Sequence, residues 1–148
     1  MRRIGFGVVA GMMIAGQVSA ATGVQPVLLR GTVLQGPVFD DPRTEKLEES
    51  SETGKVAARD LVAHESADRC LQTGVYETGR NYYTVKEPYP HDEFMHFVSG
   101  GVTLSSTDGT VTTVAAGDSV MLPKGWTGVW DSAGYRKVYV IYDCNAPK

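Results

Sequence analysis

One carboxylate at the start of an apolar strand is the residue of this chain best suited to chemistry. Glu93 begins the run Glu93 to Val98, whose other members are mostly apolar. A carboxylate buried against aromatic rings has its charged form disfavoured by loss of water, so it can act as an acid or base near neutral pH. Glu93 is therefore the candidate catalytic residue. The alternative, given equal weight, is that it accepts hydrogen bonds and only stabilises the fold.

Strand alternation predicts which side chains accompany this carboxylate. Side chains along a strand point to opposite faces in turn, so Tyr83 shares a face with Glu87, and Trp130 shares one with Gly128. A glycine at 128 would leave space that Trp130 could fill. We therefore expect an aromatic pocket with a carboxylate at its floor, suited to a sugar or a small amine. Its predicted lining is Tyr83, Glu87, Tyr89, Glu93 and Trp130.

The histidines do not form a metal-binding pattern. His91 lies in a turn, where it is expected to be exposed or at the pocket mouth. His96 falls on the face opposite Glu93, and His64 lies upstream, so neither pairs with another histidine at ligand spacing. Trp126 is expected at the pocket rim or as a packing residue.

The elements that must position these residues are short strands separated by turn signals. Such a pattern is typical of an all-β sandwich or barrel, and Asp108-Gly109 predicts a hairpin. The predicted strands are Leu71–Glu77, Tyr82–Glu87, Glu93–Val98, Val102–Leu104, Thr110–Val114, Ser119–Leu122, Thr127–Asp131 and Arg136–Asp143.

Two spaced motifs within these strands resemble those of the cupin superfamily. Glu93 followed after six residues by Gly100 is similar to the end of the first cupin motif, and Gly117 followed after five residues by Pro123-Lys124-Gly125 is similar to the start of the second. The amino-acid sequence of these motifs is similar to that of the cupin branch related to ureidoglycine aminohydrolase and the ethanolamine-utilisation cupin. The resemblance covers about residues 61–143 and implies a jelly-roll β-barrel.

The same resemblance implies a metal site that this chain has largely lost. Metal-binding cupins present two histidines before the glutamate and one after the second motif. Here those positions hold Glu87, Tyr89 and Gly128, so only Glu93 is kept. Imidazole suits Zn, Fe or Cu, whereas two carboxylates and a tyrosine would hold a metal weakly. We expect no cofactor, with a divalent Mn, Fe or Zn as the alternative.

The first twenty residues resemble a cleaved signal peptide. Arg2 and Arg3 precede an apolar run over residues 4–15 and the small residues Val18-Ser19-Ala20. The protein is therefore expected to be periplasmic or secreted, with no membrane association after cleavage. The whole chain has a net charge of −3, and losing the two arginines makes it about −5. A mildly acidic surface argues against nucleic acid as a partner.

Two cysteines, Cys70 and Cys144, remain in the mature chain. In an exported protein such a pair is expected to form a disulfide bond, here joining the start of the strand over 71–77 to the end of the last strand. Two separate buried thiols are the alternative.

The chain is expected to consist of the signal peptide (1–20), an N-terminal arm or loop segment (21–63) and the barrel domain (64–148). Val27 to Leu34 could be a strand, and Phe39 to Thr53 is expected to be a surface loop or short helix. The arm is expected to pack on the barrel or to add a strand to a neighbour, which would give a homodimer. A partly disordered leader is the alternative.

The predicted function is that of an exported cupin-like protein that binds a small molecule in an aromatic and carboxylate pocket. The first alternative is a metal-assisted enzyme resembling the ureidoglycine aminohydrolase type. The second is a structural or interaction barrel with a packed interior. Whether the protein is an enzyme stays open at this point.

Overall fold

A computed structural model describes residues 25–145, which contain two short helical segments and eight strands. The predicted signal peptide lies outside these residues. The helical segments are α1 (Gly31–Leu34) and a 3-10 turn (Val38–Asp40). The strands are β1 (Glu45–Ser51), β2 (Gly54–Glu65), β3 (Leu71–Thr78), β4 (Asn81–Val85), β5 (Asp92–Ser106), β6 (Val111–Ala115), β7 (Ser119–Leu122) and β8 (Gly128–Tyr142).

All strand pairs are antiparallel, and together they confirm the predicted all-β jelly-roll architecture. The strands follow the order β1-β2-β3-β8-β5-β6, with β4 also paired to β8 and β7 to β5. The long strands β5 and β8 each pair with three or more neighbours, so they form the centre of the barrel.

Both central strands were expected to be two separate strands each, and both are continuous but bent. The β5–β8 register shifts between Phe97 and Ser99 and again between Gly101 and Thr103. Gly100 has φ 68°, and a Cβ atom there would lie 2.0 Å from the carbonyl oxygen of Gly134. Only glycine permits such a close backbone approach, so these glycines bend the strands without ending them.

Two apolar clusters stabilise the fold, one inside the barrel and one on its outer face. The inner cluster consists of Met95, Phe97, Val102, Leu104, Val114, Leu122, Trp130 and Tyr135. In the outer cluster, Val38 and Phe39 of the N-terminal segment cover Leu61 of β2 and Val75 of β3. The N-terminal segment therefore packs on its own barrel.

Several expectations for the N-terminal segment were wrong. Residues 31–34 are helical where a strand over Val27–Leu34 was considered, and β1 lies within the stretch expected to be a loop or short helix. Strand β2 runs across the boundary placed between residues 63 and 64, so the segment contributes two strands to the same sheet. Strand β1 was not predicted because its sequence is mostly charged and polar. A strand at a sheet edge can have such a sequence, since it does not need two apolar faces.

The predicted disulfide bond between Cys70 and Cys144 is confirmed, with the two Cα atoms 4.2 Å apart. It lies beside the pairing of Leu71 with Tyr142, where β3 meets the end of β8. Within residues 25–145, no helix is long and apolar enough to span a membrane.

Candidate functional site

A cavity of about 470 Å³ lies inside the barrel, between β2, β3, β4, β5 and β8. Its walls are mainly aromatic, and its polar groups are few. The lining residues are Asp60, Gln72, Tyr76, Tyr83, Val85, Tyr89, His91, Glu93, Trp130, Tyr135, Lys137, Tyr139 and Ile141.

An ion pair between Glu93 and Lys137 forms the most buried polar part of this cavity. Lys137 Nζ donates to Glu93 Oε1 at 2.7 Å, and the two residues are 7% and 2% exposed. The ammonium also lies 3.2 Å from the sulfur of Met95. Charges this deeply buried need compensation, and here each provides it for the other.

Aromatic rings surround the Lys137 ammonium. It lies 5.4 Å from the ring centre of Trp130, 5.6 Å from that of Tyr76 and 5.7 Å from that of Tyr135. These distances are within the range of cation–π attraction. The rings and Glu93 thus form a box that already contains a cation belonging to the protein.

The loop between β4 and β5 places two more side chains against Glu93. Tyr89 donates its hydroxyl proton to Glu93 Oε2 at 2.5 Å, while His91 Nε2 lies 4.0 Å from the same oxygen. Burial raises the pKa of Tyr89, and the charge of Glu93 raises it further, so the phenol stays protonated and acts as a donor. Backbone hydrogen bonds from Tyr89 to Trp126 and from Gly125 to Tyr89 hold this loop against the β7–β8 turn.

A second carboxylate lies on the β2 side of the cavity. Asp60 Oδ1 accepts a hydrogen bond of 3.0 Å from the Tyr139 hydroxyl. Burial raises the pKa of Asp60, although the bond from Tyr139 opposes that rise. The sequence analysis did not include Asp60, because β2 was taken as part of an arm.

The N-terminal segment also contacts a cavity residue through β1. The Tyr83 hydroxyl donates to Glu49 Oε2 at 3.1 Å, and burial together with the charge of Glu49 raises the pKa of Tyr83 to about 12. Ser51 joins β1 to β4 by accepting from the backbone N–H of Tyr82 at 2.8 Å. Strand β1 therefore fixes one wall of the pocket.

Of the residues predicted for the pocket, Tyr83, Tyr89, Glu93 and Trp130 line the cavity. Glu87 does not: it is exposed, in the segment after β4. Strand β4 ends at Val85, so alternation no longer determines where residue 87 points.

The positions of the other singled-out residues differ in part from expectation. His91 lines the cavity, which agrees with the pocket-mouth position considered for it and not with exposure to solvent, and its side chain is 20% exposed. His96 points away from Glu93, as expected, and contacts Ser119 at 3.0 Å. A Cβ atom at Gly128 would lie 2.7 Å from the Trp126 ring and 2.3 Å from the Ser105 carbonyl oxygen. The space at Gly128 is thus taken by Trp126 and backbone, not by Trp130.

Lys137 is the main functional residue that the sequence analysis missed. Counting alternately from Trp130 puts residue 137 on the outer face of β8. The irregularity around Gly134 reverses the parity, so that Tyr135, Lys137 and Tyr139 all face inward. A lysine alternating with two tyrosines in the last strand was the signal that could have revealed it.

The residues around Glu93 do not fit the divalent metal that the resemblance to cupins implies. Glu93 Oε1 accepts from an ammonium, which has no lone pair to offer a metal, and Oε2 accepts from Tyr89. A metal ion here would lie beside the positive charge of Lys137. Among residues 25–145, no group of three or more His, Cys, Asp or Glu side chains is arranged to hold a metal.

A jelly-roll barrel that encloses a cavity is the architecture of a cupin. The EutQ-like cupin domain matches residues 65–139, and the chain belongs to this family. No curated protein matches the chain in sequence.

Solved structures that are similar to this chain include three bacterial proteins. A protein of unknown function from Pseudomonas syringae pv. tomato is 24% identical, with a TM-score of 0.59, over 66% of this chain and 44% of that one. A Salmonella typhimurium protein described as ethanolamine utilisation protein EutQ is 20% identical, with a TM-score of 0.51, over 65% and 76%. Clostridium difficile EutQ is 19% identical, with a TM-score of 0.49, over 68% and 77%.

At these identities the likeness shows the fold alone, because one fold hosts many activities. The aligned part is also less than half of the Pseudomonas protein. The finer resemblance to ureidoglycine aminohydrolase is not confirmed by these relatives and stays a prediction.

Proposed function

We propose that this chain is a small-molecule binding cupin whose pocket is organised by the Glu93–Lys137 ion pair in the place of a metal ion. The observation that carries the proposal is the 2.7 Å contact between these charges in a cavity of about 470 Å³. Ligand pockets of proteins are typically of about 300–1,000 Å³, mostly apolar with a few fixed polar groups. The cavity matches that description, and it argues against a barrel with a simply packed interior.

The charges in the pocket favour a ligand with oxygen acceptors over the amine considered from sequence. Lys137 already lies among the ring faces that would attract an amine, and it can donate further hydrogen bonds. A small polar molecule with carbonyl or hydroxyl oxygens complements this donor.

Export of the protein is part of this proposal. The Cys70–Cys144 disulfide supports it, because disulfides persist mainly in oxidising compartments. The expected homodimer stays a prediction, because the N-terminal strands that could reach a neighbour pair within their own sheet.

A thermal-shift screen of neutral polar compounds rich in carbonyl and hydroxyl groups tests the binding proposal. At least one compound is expected to raise the melting temperature of the wild type, because a ligand that binds only the folded state stabilises it. The shift should disappear in Glu93→Gln and Lys137→Met. The matched control is Lys55→Met, which breaks an exposed ion pair with Glu48 and should keep the shift. If no compound shifts the wild type, or if all three variants respond alike, the proposal fails.

The rival proposal is a metal-assisted enzyme. Elemental analysis of the purified full chain separates the two. One tightly bound Mn, Fe or Zn per chain would overturn the view that Lys137 takes the place of the metal.

A further inference from the structure

The pocket contains a primary amine that differs from the other described lysines of the chain. Lys137 is 7% exposed and lines the cavity, whereas Lys46, Lys55, Lys86 and Lys124 are all exposed. A lysine desolvated in an apolar pocket is one of the side chains that form imines with aldehydes and ketones. The position of Lys137 therefore suggests reactivity as well as packing.

A proton acceptor lies in direct contact with this amine. An ammonium must lose a proton before it can attack, and Glu93 Oε1 is 2.7 Å from Nζ. The Tyr89 hydroxyl donates to the other oxygen of Glu93, and it can keep this hydrogen bond while Glu93 carries the proton.

We propose that Lys137 forms a covalent imine with a small aldehyde or ketone bound in the cavity. The inference rests on the proposed binding function and names the chemical class of the ligand. Glu93 takes one proton from the ammonium, and the nitrogen lone pair forms a bond to the carbonyl carbon. Glu93 returns its proton to the carbonyl oxygen, which leaves as water together with a second proton from the nitrogen. The third proton stays on the nitrogen. An ammonium and a carbonyl compound thus give a protonated imine and water, with Glu93 ionised as before.

The pocket suits the product as well as the reactants. A protonated imine carries the same charge as the ammonium that it replaces, so it keeps the ion pair with Glu93. It also keeps the attraction of the Trp130, Tyr76 and Tyr135 rings.

Reductive trapping tests the inference on the full chain. The protein is incubated with propanal and sodium cyanoborohydride, whose hydride reduces the imine to a stable secondary amine, and peptide mass spectrometry locates the label. Lys137 should be labelled at least about tenfold faster than Lys55, which serves as the internal control. Glu93→Gln, checked for folding by circular dichroism, should lower the rate at Lys137 and leave Lys55 unchanged.

Lys137→Arg keeps a cation beside Glu93 but removes the reactive amine, so its labelling pattern should show surface lysines only. Labelling of Lys137 no faster than that of Lys55 in the wild type would overturn the inference. If compounds of the neutral screen bind the wild type but Lys137 is not labelled, the imine inference fails alone. If neither occurs, the binding proposal fails with it.

Discussion

The Lys137 ammonium lies 2.7 Å from the Glu93 carboxylate, and both side chains are almost completely buried. The two residues belong to paired strands, where Glu93 lies opposite Ile141 and Lys137 lies opposite Phe97. Their contact therefore depends on the register of β5 and β8. It also means that neither charge is compensated without the other.

Removing one partner of this pair should be costly. Lys137→Met leaves Glu93 buried and uncompensated, so it should lower the free energy of unfolding by about 3–5 kcal/mol in urea denaturation. Adding Glu93→Gln should recover part of the loss, since no isolated charge then remains.

The exposed pair of Lys55 and Glu48 is the control for that cycle. Solvent-exposed ion pairs contribute little, so Lys55→Met should change stability only slightly. The loss in unfolding free energy of the double variant could instead equal the sum of the losses in the two single variants. That result would show that Glu93 and Lys137 do not depend on each other.

Gly74 should tolerate no side chain, because it lies against the cavity wall. A Cβ atom there would lie 2.5 Å from the Leu61 carbonyl oxygen and 2.6 Å from the Tyr139 hydroxyl. Gly74→Ala should therefore destabilise the protein by about 1–3 kcal/mol. Displacing Tyr139 should also weaken its bond to Asp60. Thermal unfolding measures the effect, with Gly31→Ala as the control, since nothing lies within 4 Å of a Cβ atom at that position. Equal melting temperatures for the two variants would contradict this account.

The disulfide should contribute substantially to stability. Cys70 and Cys144 are 74 residues apart, and closing a loop of that length in the unfolded chain corresponds to about 4 kcal/mol on the chain-entropy model. The Cys70→Ser and Cys144→Ser double variant should unfold at lower urea concentration. Thiol titration of the unreduced wild type should find no free cysteine, and a full count of two would refute the bond.

Acid should weaken the contact between the N-terminal segment and the barrel. Burial raises the pKa of Glu77, but hydrogen bonds from Arg59 and Arg136 outweigh it, so the net effect is a lowered pKa. Arg136 also donates to the carbonyl oxygen of Leu34 at 2.7 Å, and its guanidinium lies over the Phe39 ring. A carboxyl group whose pKa is lower in the folded state stabilises the fold at pH values above its pKa in the unfolded state. That stabilisation is lost as the pH falls through its pKa in the folded state.

Glu77→Gln should therefore lower stability near neutral pH and make the curve of stability against pH less steep on the acid side. Urea midpoints measured from about pH 7 down to about pH 3 test this. Wild type and variant curves that stay parallel over that range would rule out Glu77 as the source of the slope.

Much of the barrel could be predicted because its local patterns agree with the fold. Asp108-Gly109 forms the hairpin between β5 and β6, and Ser119–Leu122 is β7 as predicted. The N-terminal strands could not be predicted, because β1 is charged and its partner β2 alternates only partly. Their pairing depends on tertiary contacts that outweigh local propensity.

For the site, the sequence by itself determined that Glu93 would lie with Tyr83, Tyr89 and Trp130 around one pocket. Only the tertiary structure decided which charge compensates that carboxylate. The inward position of Lys137 depends on the irregularity near Gly134, and a one-residue change of parity moves every following side chain to the other face. Such a shift is set by how β5 and β8 bend together, so alternation counted from Trp130 does not predict it.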